Sequence, residues 1–428
     1  MPTTGPARST EGSTCIDALT EEAVNAKCRS CDSSGLQLVL SLGETPLANS
    51  LLKADQLSLP ERRFPLDLVF CPTCALVQIT VTVPPEELFS DYVYMSSYSD
   101  TMLVHARELA DRLRRERRLS GDSLVVEIAS NDGYLLQNYV ATGIPVLGIE
   151  PAGNIAKVAV ERGIPTLIDF FGAELGQRLA DERRHADVIH AHNVLAHVAD
   201  LNGVVSGIGS MLKDDGVAIV EVPYVRDLIE RTEFDTIYHE HLCYFSLTSL
   251  HHLFGRHALR VVDVERLAIH GGSLRIFIAK GGPPSSAVGA LLEEEGAAGL
   301  TSMAYYASFG ARVNHLRQQL QKTLAELKSK GSHIAAYGAS AKGSTLLNYV
   351  GVGAETIDFV ADRSPVKQGL FTPGTHLPIV PPERLLEEQP GYTLLLVWNF
   401  ADEVKRQQQT YHDRGGRFIV PVPDVQIL

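Results

Sequence analysis

The chain has 428 residues, 45% of them hydrophobic and 21% charged, ordinary figures for a globular protein of two or three domains. Its formal charge of −13 argues against a nucleic-acid partner, because phosphate binding needs a basic face, while leaving room for a locally basic pocket that takes one anionic small molecule. No apolar run approaches the ~20 residues needed to cross a bilayer. The Thr/Ser/Gly/Pro-rich opening lacks the apolar stretch of a signal peptide, so residues 1–25 are expected to be a disordered tail and the address cytoplasmic.

Residues 26–83 carry two Cys-x-x-Cys pairs among short β-like runs at 36–42, 66–70 and 75–80. A polar and aromatic stretch, 84–99, leads into a helix pattern over 101–119, with Leu103, Ala106, Leu109, Ala110 and Leu113 on one face. Short apolar runs at 124–128, 146–149, 166–168, 187–191 and 216–220 alternate with helical stretches, which predicts a parallel sheet covered on both faces. Runs at 260–265 and 273–280 extend it as antiparallel strands, so this domain is expected to span 84–282. The small-residue, acidic run 283–299 and one long helix over 302–327 make up a linker, 283–331. A fresh β–turn–α pattern then starts a third, half-sized Rossmann-like unit over 332–428.

Cys28-x-x-Cys31 and Cys71-x-x-Cys74 form the strongest local signal. Each turn presents two thiolates to one ion, and two turns complete a zinc tetrahedron with no open position, which predicts structural Zn2+. Residues 32–70 make an unusually long loop for a compact ribbon. Cys15 and Cys243 are expected to be ordinary free cysteines.

The segment Val125-Val126-Glu127-Ile128-Ala129-Ser130-Asn131-Asp132-Gly133 reads as a strand entering a tight turn and a helix, where backbone can approach a ligand closely. A dinucleotide would want glycines where Ala129 and Asn131 stand; S-adenosylmethionine carries no phosphate and tolerates the change. Glu150 ends the next strand, about 20 residues on, and is placed to accept both ribose hydroxyls. Asp169 and Phe170 follow the third strand, near an adenine. The run from Asp187 through Asn193-Val194-Leu195-Ala196-His197-Val198 resembles a class I methyltransferase signature.

Tyr238-His239-Glu240-His241 is a dense titratable cluster, downstream of Glu221-Val222-Pro223-Tyr224 and expected beyond the carboxyl ends of the strands. Histidine suits a general base, and Tyr and Glu can orient it or bind a substrate oxygen. A metal-binding string is the other reading of the same residues. Tyr224 is a candidate substrate contact. In the last domain Gly338–Gly343 opens a helix whose amides, with Lys342, are candidates for holding a phosphate.

Together the paired Cys-x-x-Cys module, Glu127-Ile128-Ala129-Ser130-Asn131-Asp132-Gly133, Ile149-Glu150-Pro151-Ala152, Tyr238-His239-Glu240-His241, His270-Gly271-Gly272-Ser273-Leu274-Arg275 and Tyr337-Gly338-Ala339-Ser340-Ala341-Lys342-Gly343 resemble the C-methyltransferases of TDP-linked 4-keto-deoxysugars, over nearly the whole chain. The resemblance implies an α/β protein in which a class I S-adenosylmethionine-methyltransferase domain, Rossmann-like, is flanked by a zinc-ribbon-like domain and a second Rossmann-like domain. It further implies that His241 removes a proton from carbon 3 of the sugar and that the enolate takes the methyl. Tyr238 and Glu240 steady the base or sugar oxygens, His197 lies near the keto oxygen, and Tyr92 reaches in from the N-terminal segment. The last lobe helps hold the nucleotide of a small-molecule TDP-sugar, in antibiotic-type deoxysugar biosynthesis.

Three other readings compete. The same machinery can act on a non-sugar metabolite, as a C- or O-methyltransferase. A zinc-stabilised scaffold with a degenerate cofactor site is opposed by Glu127, Glu150 and the Tyr-His-Glu-His cluster. A nicotinamide-dependent oxidoreductase is opposed by the missing glycines and the lack of a Tyr-x-x-x-Lys pair. A chain with its own three-domain cleft can work as a monomer.

Overall fold

The computed structural model describes residues 26–89 and 95–428; the expected tail with Cys15, and Tyr92, lie outside the described residues. Strands β1 (Gln37–Pro46), β2 (Arg63–Phe70) and β3 (Val77–Ile79) form an antiparallel meander. The two cysteine turns lie just before β1 and between β2 and β3.

The central sheet begins with β4 (Val125–Ile128), every residue of which is buried, as a strand covered on both faces requires. β5 (Val146–Ile149), β6 (Thr166–Leu167), β7 (Ala186–His192) and β8 (Leu212–Pro223) continue in parallel. The chain then leaves this sheet: β9 (Cys243–Tyr244) pairs with β3 instead, Val77 opposite Tyr244. β10 (Arg260–Leu267) and β11 (Ser273–Ala279) return, and β11 is antiparallel to both neighbours. The order is β10-β11-β8-β7-β4-β5-β6. From β4 the chain fills one side and then, with β7, the other, so a crevice opens at the carboxyl ends of these two strands.

A third sheet of β12 (Ile334–Tyr337), β13 (Val360–Ala361), β14 (Ile379–Val380), β15 (Tyr392–Leu395), β16 (Arg417–Val420) and β17 (Gln426–Ile427) is parallel except for β17. One apolar cluster runs from the cysteine module through the central sheet into this last lobe, so the parts share a core. The helix Asp100–Glu116 seals the other face with Met102, Ala106, Leu109, Ala110 and Leu113. No helix among the described residues is long and apolar enough to cross a membrane.

Two expectations need correction. The acidic run read as linker holds a helix, Ser286–Ala298. Its Glu295 is wholly buried and accepts from Leu247 N (2.7 Å) and Thr248 N (2.8 Å), capping the start of helix Leu247–Gly255. That tertiary contact stabilises a helix whose own apolar pattern is weak. The single long helix is broken in two, Met303–Tyr306 and Phe309–Ser329. Tyr306 is fully buried, its ring 5.0 Å from that of Phe70 and its hydroxyl donating to Leu300 O, which turns the chain between the two pieces.

Candidate functional site

The four thiols of Cys28, Cys31, Cys71 and Cys74 lie within 4.8 Å of one another. Cys28 and Cys74 sulfurs are 3.5 Å apart, Cys31 and Cys71 sulfurs 3.6 Å. A zinc tetrahedron with Zn–S of about 2.3 Å has edges of about 3.8 Å, so the set fits zinc with little movement. The module is bound tightly to the central domain: Asn202 donates to Arg29 O and Ser30 O, and Arg256 to Ser30 O.

At the mouth of β4, Ala129, Asn131 and Gly133 all adopt positive φ, 52°, 50° and 78°. Two of these are not glycine, a strained arrangement of the kind that persists where a ligand needs it. A Cβ on Gly133 would lie 2.1 Å from Ile164 Cδ1. Gly133→Ala is therefore expected to cost about 1–2 kcal/mol and to weaken cofactor binding, read by chemical denaturation and S-adenosylhomocysteine titration. Parent-like values in both would show that the turn tolerates a side chain there.

Acids surround this turn. Glu150 accepts from Asn131 N (2.8 Å) and Ala152 N (2.9 Å), which aims it across the crevice. Asp132 is held by Arg162 and Ser97, and Ser96 N donates to Asn131 Oδ1 (2.9 Å), closing residues 96–97 over the turn. Glu127 is buried, and its Oε2 finds no hydrogen-bond partner among the described residues. Burial, then the charges of Glu150 and Asp132, hold its carboxyl well above the usual range. The carboxyl groups of Glu127, Glu150 and Asp132 thus line one turn, with no basic side chain among the described residues free to meet a pyrophosphate there, and Glu127 Oε2 is the acceptor that could take the ammonium of S-adenosylmethionine. Asn193, with φ 56°, donates its amide to Glu221 O (2.8 Å) on the same rim. Asp169 and Phe170 follow the edge strand β6; Phe170 is exposed and Asp169 half-buried, paired with Arg178.

Tyr238, Glu240 and His241 come together with His197. His241 Nδ1 lies 2.9 Å from Thr236 O, which can only accept, so Nδ1 carries the proton and Nε2 holds the lone pair. Tyr238 Oη is 2.8 Å from that Nε2. The His197 ring meets the His241 ring edge-on at 4.8 Å, and burial lowers His197 to about 4, against a hydrogen bond with the Glu240 backbone. Glu240 is raised to about 7 by burial, opposed by the Asn49 amide and the charge of Lys367. No metal-binding group other than the four cysteines occurs among the described residues, so the metal-string reading of this segment gains no partner.

Two expected substrate contacts are otherwise engaged. Tyr224 is 1% exposed, its ring under the Arg266 guanidinium (5.2 Å), and it caps helix Val225–Glu230; it is a core residue. In the Gly338–Gly343 loop some amides are engaged from within the fold: Asp362 accepts from Ala339 N (2.7 Å) and Ser340 Oγ from Gly343 N (3.1 Å). An acid thus stands beside the loop, against a phosphate. Lys342 lies 4.0 Å over the Trp398 ring, and its charge counters buried Glu233 and Asp235. Asp235 in turn accepts from Trp398 Nε1 (2.6 Å). Lys342 thus joins the last lobe to the central domain.

Sequence reasoning missed Asn49, whose Nδ2 donates to Glu240 Oε1 (2.7 Å). It also missed a buried polar chain beneath the rim: Tyr139–His190 (2.9 Å), His190–His192 (3.2 Å), and Glu221 held by Arg275 (2.6 Å) and His105 (2.9 Å). Burial raises the Glu221 carboxyl, but His192, His105 and Arg275 together outweigh it and keep the acid low. Arg275 closes the Gly271-Gly272-Ser273-Leu274-Arg275 run, the one signal that could have pointed here. Gly272, at φ 133°, is required because a Cβ would sit 2.2 Å from Asp227 Oδ2.

Comparisons with known proteins give the following. The chain matches a zinc binding domain over residues 28–89, a methyltransferase domain over 103–264 and a C-methyltransferase C-terminal domain over 268–423. C-methyltransferase NovU of Streptomyces niveus is 38% identical over 405 residues, 94% of this chain and 96% of that one. Among solved structures, magnesium protoporphyrin IX methyltransferase from Synechocystis with bound SAH is 13% identical, covers 42% of this chain and 83% of its own, and has a TM-score of 0.34. An S-adenosylmethionine-dependent methyltransferase from Clostridium acetobutylicum is 11% identical, covers 41% and 91%, and also scores 0.34.

Proposed function

Since this chain belongs to the C-methyltransferase family, and is an S-adenosylmethionine-dependent methyltransferase with a zinc-binding module, we propose that it methylates carbon 3 of a TDP-linked 4-keto-deoxysugar in secondary-metabolite biosynthesis. The observation that carries this reading is the fixed tautomer of His241, with its lone pair on Nε2 and Tyr238 and His197 beside it. A carbon acid next to a ketone is weak, and its removal needs a base together with hydrogen-bond donors where enolate charge develops.

His241 takes the proton at Nε2 as the Tyr238 hydroxyl turns from that nitrogen to a substrate oxygen. Its Nδ1–H remains on Thr236 O, which favours the imidazolium that forms. His197, kept neutral by burial, lies near the keto oxygen, and Glu240 orients a sugar hydroxyl. Glu127, Ala129, Asn131, Gly133, Glu150, Asp169, Phe170 and Asn193 hold S-adenosylmethionine, which when bound supplies an electrophilic methyl group. Lys367 faces Glu240 from the last lobe, with its Nζ donating to Ala339 O (2.8 Å).

A non-sugar acceptor is the runner-up, favoured by the acid, Asp362, that accepts from Ala339 N in the Gly338–Gly343 loop. Calorimetric titration separates them: S-adenosylhomocysteine and thymidine diphosphate are expected to bind at separate sites. Binding of the first alone would move the acceptor to a non-sugar metabolite. Binding of neither would overturn the assigned sites.

A further inference from the structure

The long loop between the cysteine pairs, which a compact zinc ribbon does not need, runs from the cysteine module to the catalytic segment and the last lobe. After β1 the buried Leu47 and Ala48 lead to Asn49, whose turn is fixed by Ser50 N donating to Leu47 O (3.1 Å) and Leu51 N to Asn49 O (2.8 Å). Leu52 then exchanges backbone hydrogen bonds with Phe371, 2.9 and 2.8 Å. Farther on, Glu61 accepts from Gly374 N (2.9 Å) and pairs with His376 Nε2 (2.7 Å). The arm is thus pinned to the last lobe on the far side of Asn49 and to the meander on the near side.

Between these anchors Asn49 donates to Glu240 Oε1 at 2.7 Å. The same module grips the neighbours of Glu240: His239 Nε2 bonds Pro65 O (3.1 Å), and Ile79 N donates to Leu242 O (3.0 Å). Glu240 is 5% exposed, so water contributes little to its orientation. An amide donor from a rigid loop is worth more there than at a surface. Around Glu240 stand Asn49 on the arm, Lys367 on the last lobe, His197 on the rim turn, and Tyr238, His239 and His241 on its own segment.

We propose that Asn49 is a positioning residue for the methyl-acceptor reaction: the zinc module delivers its amide to hold the Glu240 carboxylate in one orientation beside His197 and His241. This rests on the reading of Tyr238–His241 as the acceptor site. Among the described residues Asn49 makes no side-chain hydrogen bond to the turn after β4 or to the cysteines, so its loss is expected to leave both intact. Because the amide favours the ionised carboxylate, removing it raises the acid limb of the pH profile, which already lies high for a carboxyl group because burial holds Glu240 at about 7.

The test uses Asn49→Ala, Asn49→Asp, Glu240→Gln and the Asn49→Ala/Glu240→Gln pair. The readout is exchange of the carbon-3 hydrogen of a TDP-4-keto-6-deoxysugar into deuterated buffer with S-adenosylhomocysteine present, followed across pH. Asn49→Ala is expected to slow exchange about tenfold to a hundredfold and move the acid limb up. Asn49→Asp, which keeps the size and adds a like charge, moves it the same way. In the Glu240→Gln background Asn49→Ala adds nothing further. Zinc content and S-adenosylhomocysteine affinity stay at parent values. An unchanged rate and limb in both Asn49 variants, with Glu240→Gln impaired, overturns the positioning role. An unimpaired Glu240→Gln instead overturns the acceptor-site reading.

Discussion

His241→Asn is expected to lower turnover by about a hundredfold to ten-thousandfold while leaving S-adenosylhomocysteine affinity at the parent value. The asparagine amide can replace Nδ1–H as donor to Thr236 O, so the local backbone keeps its partner. What disappears is the basic nitrogen that Tyr238 Oη touches at 2.8 Å. The turn expected to hold the cofactor is built from other residues, Glu127 through Gly133 and Glu150. Single-turnover methyl transfer and calorimetry, run on the same preparation, check both halves. A variant that turns over normally would remove His241 as the base; one that loses cofactor affinity would put His241 at the wrong site.

Cys71→Ser is expected to release zinc and remove activity through loss of structure. Cys71 N donates to Leu76 O and its carbonyl accepts from Ala75 N, so the metal turn leads directly into β3. β3 pairs with β9, three residues after Glu240, and Arg29, in the first cysteine turn, donates to Val81 O and Thr82 Oγ1. Without the fourth sulfur the two turns separate, and the module that grips residues 239–244 loosens with them. Zinc content by atomic absorption, the thermal midpoint and turnover should fall together. Chelation of the parent protein should reproduce the effect in proportion to metal removed. Full activity in zinc-free protein would mean that the apolar core alone holds the catalytic segment in place.

Much of the central domain was legible because its signals are local. The parallel strands other than β6 each hold a short buried apolar run, with a residue of visible chemistry at or near the carboxyl end: Glu127, Glu150, Asn193, Glu221. The cysteine spacing identified a metal site because thiolates at that interval have little else to do together. Tyr238-His239-Glu240-His241 stood out for density alone. Helix Ser286–Ala298 did not, since what stabilises it is Glu295 capping a helix that starts at Leu247.

By itself the sequence determined the α/β class, the four-cysteine zinc module and the methyltransferase domain, and it singled out the turn after β4 and the segment proposed to carry the base. Periodicity, ligand spacing and turn chemistry are properties of neighbouring residues. Only the tertiary structure decided which groups face one another across the chain. It turned Tyr224 into a core residue and gave Lys342 to Glu233, Asp235 and Trp398. It also added β9 to the zinc module's sheet and brought Asn49 to Glu240. The physical reason is burial: in a low-dielectric interior each polar group must find a partner, and that partner is chosen by the packing of distant segments.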